Sequence, residues 1–158
     1  MKYAEDLNYW DTTVHPAKSL GEIQEMLEDF GATATMVSQG QAQGVYAWLI
    51  RFQWNDRAYR FVFRPAPCRQ PGKVMSYAGK RRTNEEQSKY QMARGAYWFV
   101  KAMLTAAEFQ PAALFGFLEL PGARPGGMPL VASELDVEEL TGLLPGIELP
   151  KILEEGDQ

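Results

Sequence analysis

Residues 45–63 of this chain alternate with period two around a single polar dipeptide, and that pattern limits the fold more than any other stretch. Tyr46, Trp48, Ile50, Phe52 and Trp54 fall on one side of an extended segment, and Val45, Ala47, Leu49, Arg51 and Gln53 fall on the other. After Asn55-Asp56, a tight-turn signal lacking the usual glycine, Tyr59, Phe61 and Phe63 repeat the aromatic side. The spacing predicts an antiparallel hairpin from Val45 to Trp54 and Arg57 to Arg64. Its aromatic face must be covered by helices, and Arg51, Gln53, Arg60 and Arg64 lie on the opposite face.

Helical periods on either side supply the cover. Pro16 suits the first turn of a helix, and Leu20, Ile23, Met26, Leu27 and Phe30 follow at helical spacing up to a stop at Gly31. Thr83 and Glu86 form a capping box before a long helix with an apolar stripe of Met92, Ala96, Phe99, Val100, Met103 and Ala107, ending near Phe109. Gly95 inside it suggests close packing on the sheet. Thr33 to Val37 read as a short strand and SQGQAQG as a polar turn. A shorter element spans Ala112 to Leu120, and Ser133 heads a brief acidic helix to about Leu143. The aromatic-rich start (Tyr3, Tyr9, Trp10) reads as an arm packed on the body. The expectation is an α+β fold with an α-β-β-β-α core and a three-stranded antiparallel sheet on helices. Residues 1–120 form that core with a basic loop at 65–82, and residues 121–158 form an acidic helical extension.

Charge is partitioned along the chain. Residues 51–101 carry twelve cations against three carboxylates, residues 1–50 two against seven, and residues 102–158 two against ten. A basic zone between acidic ends attracts phosphates or acidic partners. Arg51, Arg60 and Arg64 share one sheet face, Arg69, Lys73, Lys80, Arg81 and Arg82 sit on the adjoining loop, and Tyr77 is an aromatic there on which a base can stack. The same cations can instead be neutralised within the fold by the acidic segments.

Catalytic signals are weak. The one cysteine, Cys68, and the one histidine, His15, leave no cysteine or histidine metal cluster. No serine occupies a G-x-S-x-G turn, His15 reads as a surface or cap-adjacent residue, and Cys68 among Arg64, Arg69 and Lys73 reads as an incidental loop thiol. Neither Gly72-Lys73-Val74 nor Gly79-Lys80-Arg81 is a phosphate loop. A metal-dependent nuclease is left with carboxylate content alone, without a D-x-E or E-x-K spacing on a core strand. The expected protein is not an enzyme, has no cofactor and no metal site, and does not enter a membrane. The acidic N-terminus is unlike a secretory signal, which points to the cytoplasm.

The α-β-β-β-α order resembles that of double-stranded RNA-binding domains. A closer likeness rests on Thr12, Val14, Lys18, Ser19, Glu22, Ile23, Leu27, Phe30, Gly31 and Ala32, then Arg57, Tyr59, Arg60 and Phe61, then Arg94, Trp98, Lys101, Ala102 and Leu104. These resemble the pattern of an uncharacterised family of small proteins from phages, prophages and mobile elements, over residues 12 to about 120. The resemblance implies a mobile-element setting in a bacterial host and carries no catalytic residue. The function expected is that of a non-enzymatic accessory protein binding DNA or RNA, within a larger nucleoprotein or protein complex. The alternative is a protein-interaction subunit docking through the basic loop or through the acidic-apolar tail, which contains Leu143, Leu144, Ile147, Leu149, Ile152 and Leu153.

Overall fold

A computed structural model describes residues 1–42, 44–123 and 129–134. Helix α1 spans Pro16–Phe30, followed by strands β1 (Ala34–Ala42), β2 (Val45–Trp54) and β3 (Arg57–Phe63). A second hairpin, β4 (Val74–Tyr77) and β5 (Lys80–Thr83), precedes the long helix α2 (Asn84–Phe109). A 3-10 segment Pro111–Phe117 leads to β6 (Glu119–Ala123), β7 (Pro129–Val131) and a 3-10 turn at Ala132–Glu134. The architecture is α+β, with a three-stranded antiparallel sheet in the order β1-β2-β3 and two separate hairpins.

The aromatic alternation forms the core as expected. Trp48, Ile50, Phe52, Tyr59 and Phe61 are buried against Ile23 and Leu27 of α1 and against Met92, Ala96, Val100 and Leu104 of α2. Rings interlock across the sheet, Phe52 stacking on Tyr59 at 5.3 Å and Phe61 meeting Phe117 edge-on at 4.7 Å. The buried Trp48 indole donates to the Tyr46 hydroxyl at 2.9 Å, so its polar group is satisfied. At the β2–β3 turn Asn55 and Asp56 both take positive φ (49° and 59°). Asn and Asp enter that region more readily than most residues, which lets the tight turn form without glycine. Gly31 caps α1 at φ 105°, and Thr83 with Glu86 closes the capping box of α2.

Four local expectations are corrected. Strand β1 runs nine residues, through SQGQA, because β2 supplies its ladder partners whatever the polarity of its side chains, and an edge strand tolerates polar ones. Residues 65–82 are not all loop. Tyr77-Ala78-Gly79-Lys80 is a two-residue hairpin whose centre takes φ 53° and 82°, so short polar strands form around turn chemistry rather than a hydrophobic period. The element expected at Ala112 to Leu120 is a 3-10 segment running into β6, so β6 crosses the boundary expected at residue 120. Gly95 does not mark a close approach: a Cβ there meets nothing within 4 Å. Ser133 lies in the Ala132–Glu134 turn, and the rest of the expected acidic helix falls outside the described residues.

Since α2 already holds residue 95 in helical geometry, Gly95→Ala is expected to stabilise the protein by about 0.5–1 kcal/mol through lost unfolded-chain freedom. Thermal unfolding should rise by roughly 2–4 °C for a chain of this size. A fall in melting temperature would show that the space beside Gly95 is needed.

Candidate nucleic-acid interface

Two of the nine expected contact residues are neutralised on the sheet. Arg51 and Arg60 are direct cross-strand partners on the face away from α1 and α2. Two guanidinium groups opposed in this way repel unless each has a counter-charge. Glu119 in β6 accepts from Arg51 Nε and a terminal nitrogen at 2.6 and 2.7 Å, and Glu134 grips Arg60 in the same two-pronged way at 2.8 and 2.6 Å. The Glu119 carboxylate hydrogen bond and charge raise the Arg51 pKa further. Arg60 is only 2% exposed. The expectation of three open cations on this face is corrected at two of them: Glu119 pairs with Arg51, which stays partly exposed, and Glu134 pairs with Arg60, which is buried, while Arg64 remains exposed.

Arg82 is also withdrawn from solvent. Its guanidinium donates to Gln87 Oε1 at 2.6 Å and lies 3.9 Å over the Tyr90 ring, with Tyr77 at 5.9 Å. Arg69 donates to Asp6 and packs over Tyr3 at 5.0 Å. What remains is Arg64 at the end of β3, Lys73 before β4, and Lys80 and Arg81 in β5, all exposed and forming no ion pair among the described residues. Three of these four belong to or flank one small hairpin.

That hairpin is anchored through a polar network. Gln87 Nε2 donates to the carbonyls of Trp10 and Thr12, both at 2.8 Å, while its oxygen accepts from Arg82. Gln91 Nε2 reaches the carbonyls of Ala4 at 2.8 Å and Asn8 at 2.9 Å. The two amides, one turn apart on α2, hold the N-terminal arm against the helix and the hairpin. Sequence reasoning placed the arm on the body but missed these glutamines; their i, i+4 spacing on the buried side of α2 was the available signal. Asn84 N–H donates to the Lys73 carbonyl at 2.9 Å and Glu85 N–H to the Pro71 carbonyl at 3.0 Å, fixing the strand to the start of α2.

Period two along 73–77 turns Lys73, Met75 and Tyr77 toward the arm, where they line a cleft of about 270 Å³ with Glu5, Trp10, Arg69, Gln70 and Asn84. The Tyr77 hydroxyl donates to Asn84 Oδ1 at 3.0 Å. Burial, reinforced by the nearby Glu5 and Cys68 charges, raises its pKa, so it keeps its proton at neutral pH. Desolvation pushes the Glu5 carboxyl upward, but backbone N–H donors from Glu5, Arg69 and Gln70 and the Arg69 charge outweigh it, leaving its pKa below the ordinary 4.5. Burial raises the Cys68 thiol, whose Sγ donates to the Asn84 carbonyl at 3.4 Å, so it is no activated nucleophile. His15 caps α1, its Nδ1 accepting from Ala17 N–H at 3.1 Å. Among the described residues no group of three His, Cys, Asp or Glu is placed to hold a metal ion, and no helix is long and apolar enough to cross a membrane.

Comparison with known proteins finds no matching family model, no similar curated protein and no similar solved structure.

A folded-state pKa lowered at Glu5 means its contribution to stability is present above the ordinary carboxylate value and disappears as pH falls through the folded value. The melting-temperature gap between wild type and Glu5→Gln should accordingly be present at pH 7 and close only as pH falls below the ordinary carboxylate value. A gap independent of pH would show that the carboxylate charge does not hold the 69–70 backbone.

Proposed function

We propose that this chain is a non-enzymatic nucleic-acid-binding accessory protein that holds the phosphate backbone through the β4–β5 hairpin. The observation that carries this reading is the segregation of its cations. Arg51 and Arg60 are held by Glu119 and Glu134, while Lys73, Lys80 and Arg81 stay exposed and form no ion pair among the described residues, gathered at one anchored projection. Cations without internal partners condense on phosphate and release its counterions, which gives affinity without base sequence preference. The hairpin is held at both ends, by the α2 cap and by the arm, so its cations are presented from a fixed frame. The mobile-element setting implied by the sequence resemblance is consistent with such a role in a larger nucleoprotein complex.

A second reading has one observation in its favour. Val74 and Met75 on the same hairpin are exposed apolar side chains, which suits docking on an acidic protein surface.

The test is a salt titration against labelled single- and double-stranded DNA and RNA, comparing wild type with Lys80→Ala/Arg81→Ala. Both positions are exposed, so the fold should survive. Duplex affinity should fall for every sequence, and the slope of log affinity against log salt should shrink by about 2. An unchanged slope in the variant would remove the hairpin as the contact. Absence of binding to all four nucleic acids at low salt would overturn the reading in favour of the acidic protein partner.

A further inference from the structure

We propose that the cleft between the N-terminal arm and the β4–β5 hairpin binds a nucleoside 5′-phosphate, either free or as the end of a strand; the choice of a nucleotide rests on the nucleic-acid reading above. The start of a helix alone would not make this site. The first N–H groups of α2 are already engaged, Asn84 and Glu85 with the 71–73 backbone and Glu86 with Thr83 Oγ1. The specific feature is the Asn84 side chain. The residue is 5% exposed, lines the cleft and spends its Oδ1 on Tyr77, yet its amide nitrogen has no partner among the described residues. Among the described residues only Ser19 Oγ is both fully enclosed and unpaired, so the Asn84 nitrogen keeps some solvent access, and the cleft is an opening that Asn84 lines.

The other walls define the ligand. Lys73 lines the same cleft, is exposed and forms no ion pair among the described residues, so its ammonium is free to reach a ligand there. Its point charge and the two N–H bonds of Asn84 suit a phosphate monoester, which offers several acceptor oxygens at once. Glu5 also lines the cleft, but its oxygens already accept from the backbone of Arg69 and Gln70, between 2.9 and 3.4 Å. The half-buried rings of Trp10 and Tyr77, packed edge to face at 5.9 Å, give an aromatic wall on which a base can lie. A volume of about 270 Å³ suits a ligand of single-nucleotide size and is too small for a duplex.

Asn84→Asp tests this, with its melting temperature as the check that the fold accepts a carboxylate at this nearly buried position. It keeps the oxygen that Tyr77 bonds, and a carboxylate in the first turn of a helix is favourable. It also replaces the free donor with an acceptor that repels phosphate. Calorimetric titration of the intact chain with adenosine 5′-monophosphate should saturate. Adenosine should bind at least tenfold more weakly, and Asn84→Asp should lose at least tenfold in monophosphate affinity while melting near the wild-type temperature. Lys80→Ala/Arg81→Ala should leave this binding unchanged. Failure of the wild type to saturate, or equal affinity in Asn84→Asp, overturns the proposal.

The same proteins on oligonucleotides keep the two readings apart. Strand binding without monophosphate binding leaves the hairpin interface standing and removes the cleft; the reverse keeps the cleft and removes the hairpin. Among strands, tighter binding with a 5′-phosphate than with a 5′-hydroxyl identifies a strand end as the source. Equal binding of the two, with the monophosphate still saturating, identifies the free nucleotide.

Discussion

Arg51 and Arg60 stand opposite one another on β2 and β3, and this pairing of like charges governs the outside of the sheet. A sheet face with two adjacent guanidinium groups is stable only if anions reach both. The chain supplies them from far along its sequence, Glu119 in β6 and Glu134 beyond β7, each by two charge-assisted hydrogen bonds. The segment after α2 is thereby drawn across the face opposite the aromatic core. Val131 becomes buried, and Leu118 bridges the β3 residue Tyr59. Arg51 and Arg60 of the basic zone and Glu119 and Glu134 of the acidic C-terminal third, far apart in the sequence, thus form two direct ion pairs.

A second polar arrangement decides what stays outside. Gln87 and Gln91 occupy positions that would ordinarily be apolar, given their burial on α2. Between them they bond the backbone of the arm and the guanidinium of Arg82. Such a network is stabilising only when nearly every member is satisfied, and then it fixes a single arrangement. Arg82 is thus a structural cation, whereas Lys80 and Arg81, two residues and one residue earlier, stay in solvent. Arg81 and Arg82 have opposite roles because a short strand alternates its side chains and only one side meets α2, while Lys80 lies at the turn end of the strand, in solvent.

The core was legible in the sequence because its signal is local and periodic. Large apolar side chains, all rings but Ile50, at every second position of 46–54 and 59–63, the Thr83 capping box and the Gly31 stop each encode their own geometry. The basic face was not. Whether Arg60 is a contact or a buried partner depends on Glu134, seventy-four residues away, and no spacing rule links them. The β4–β5 hairpin escaped for another reason. Its strands are four residues each, and its turn places Ala78 at φ 53°, where alanine is disfavoured, so pairing and packing override local preference. Of the nine expected contact residues, Arg69, Lys73 and Tyr77 do meet in one cleft, because the loop that carries them folds back against the arm.

The way α2 begins bears on the kind of recognition available at that cleft. Where helix N–H groups point freely at a ligand, the backbone and dipole bind almost any anion. Here those groups are used to bind the hairpin to the helix, so the field at the α2 start contributes while the hydrogen bonds must come from side chains. Lys73 offers charge without direction and Asn84 offers direction without charge. A site built from that pair discriminates by where its oxygens sit, and it does so beside rings that favour a flat, apolar neighbour. The exposed hairpin cations impose no such geometry. The same fold therefore places a group of exposed cations next to a shaped pocket, with Tyr77 as the last residue of β4 and a wall of that pocket.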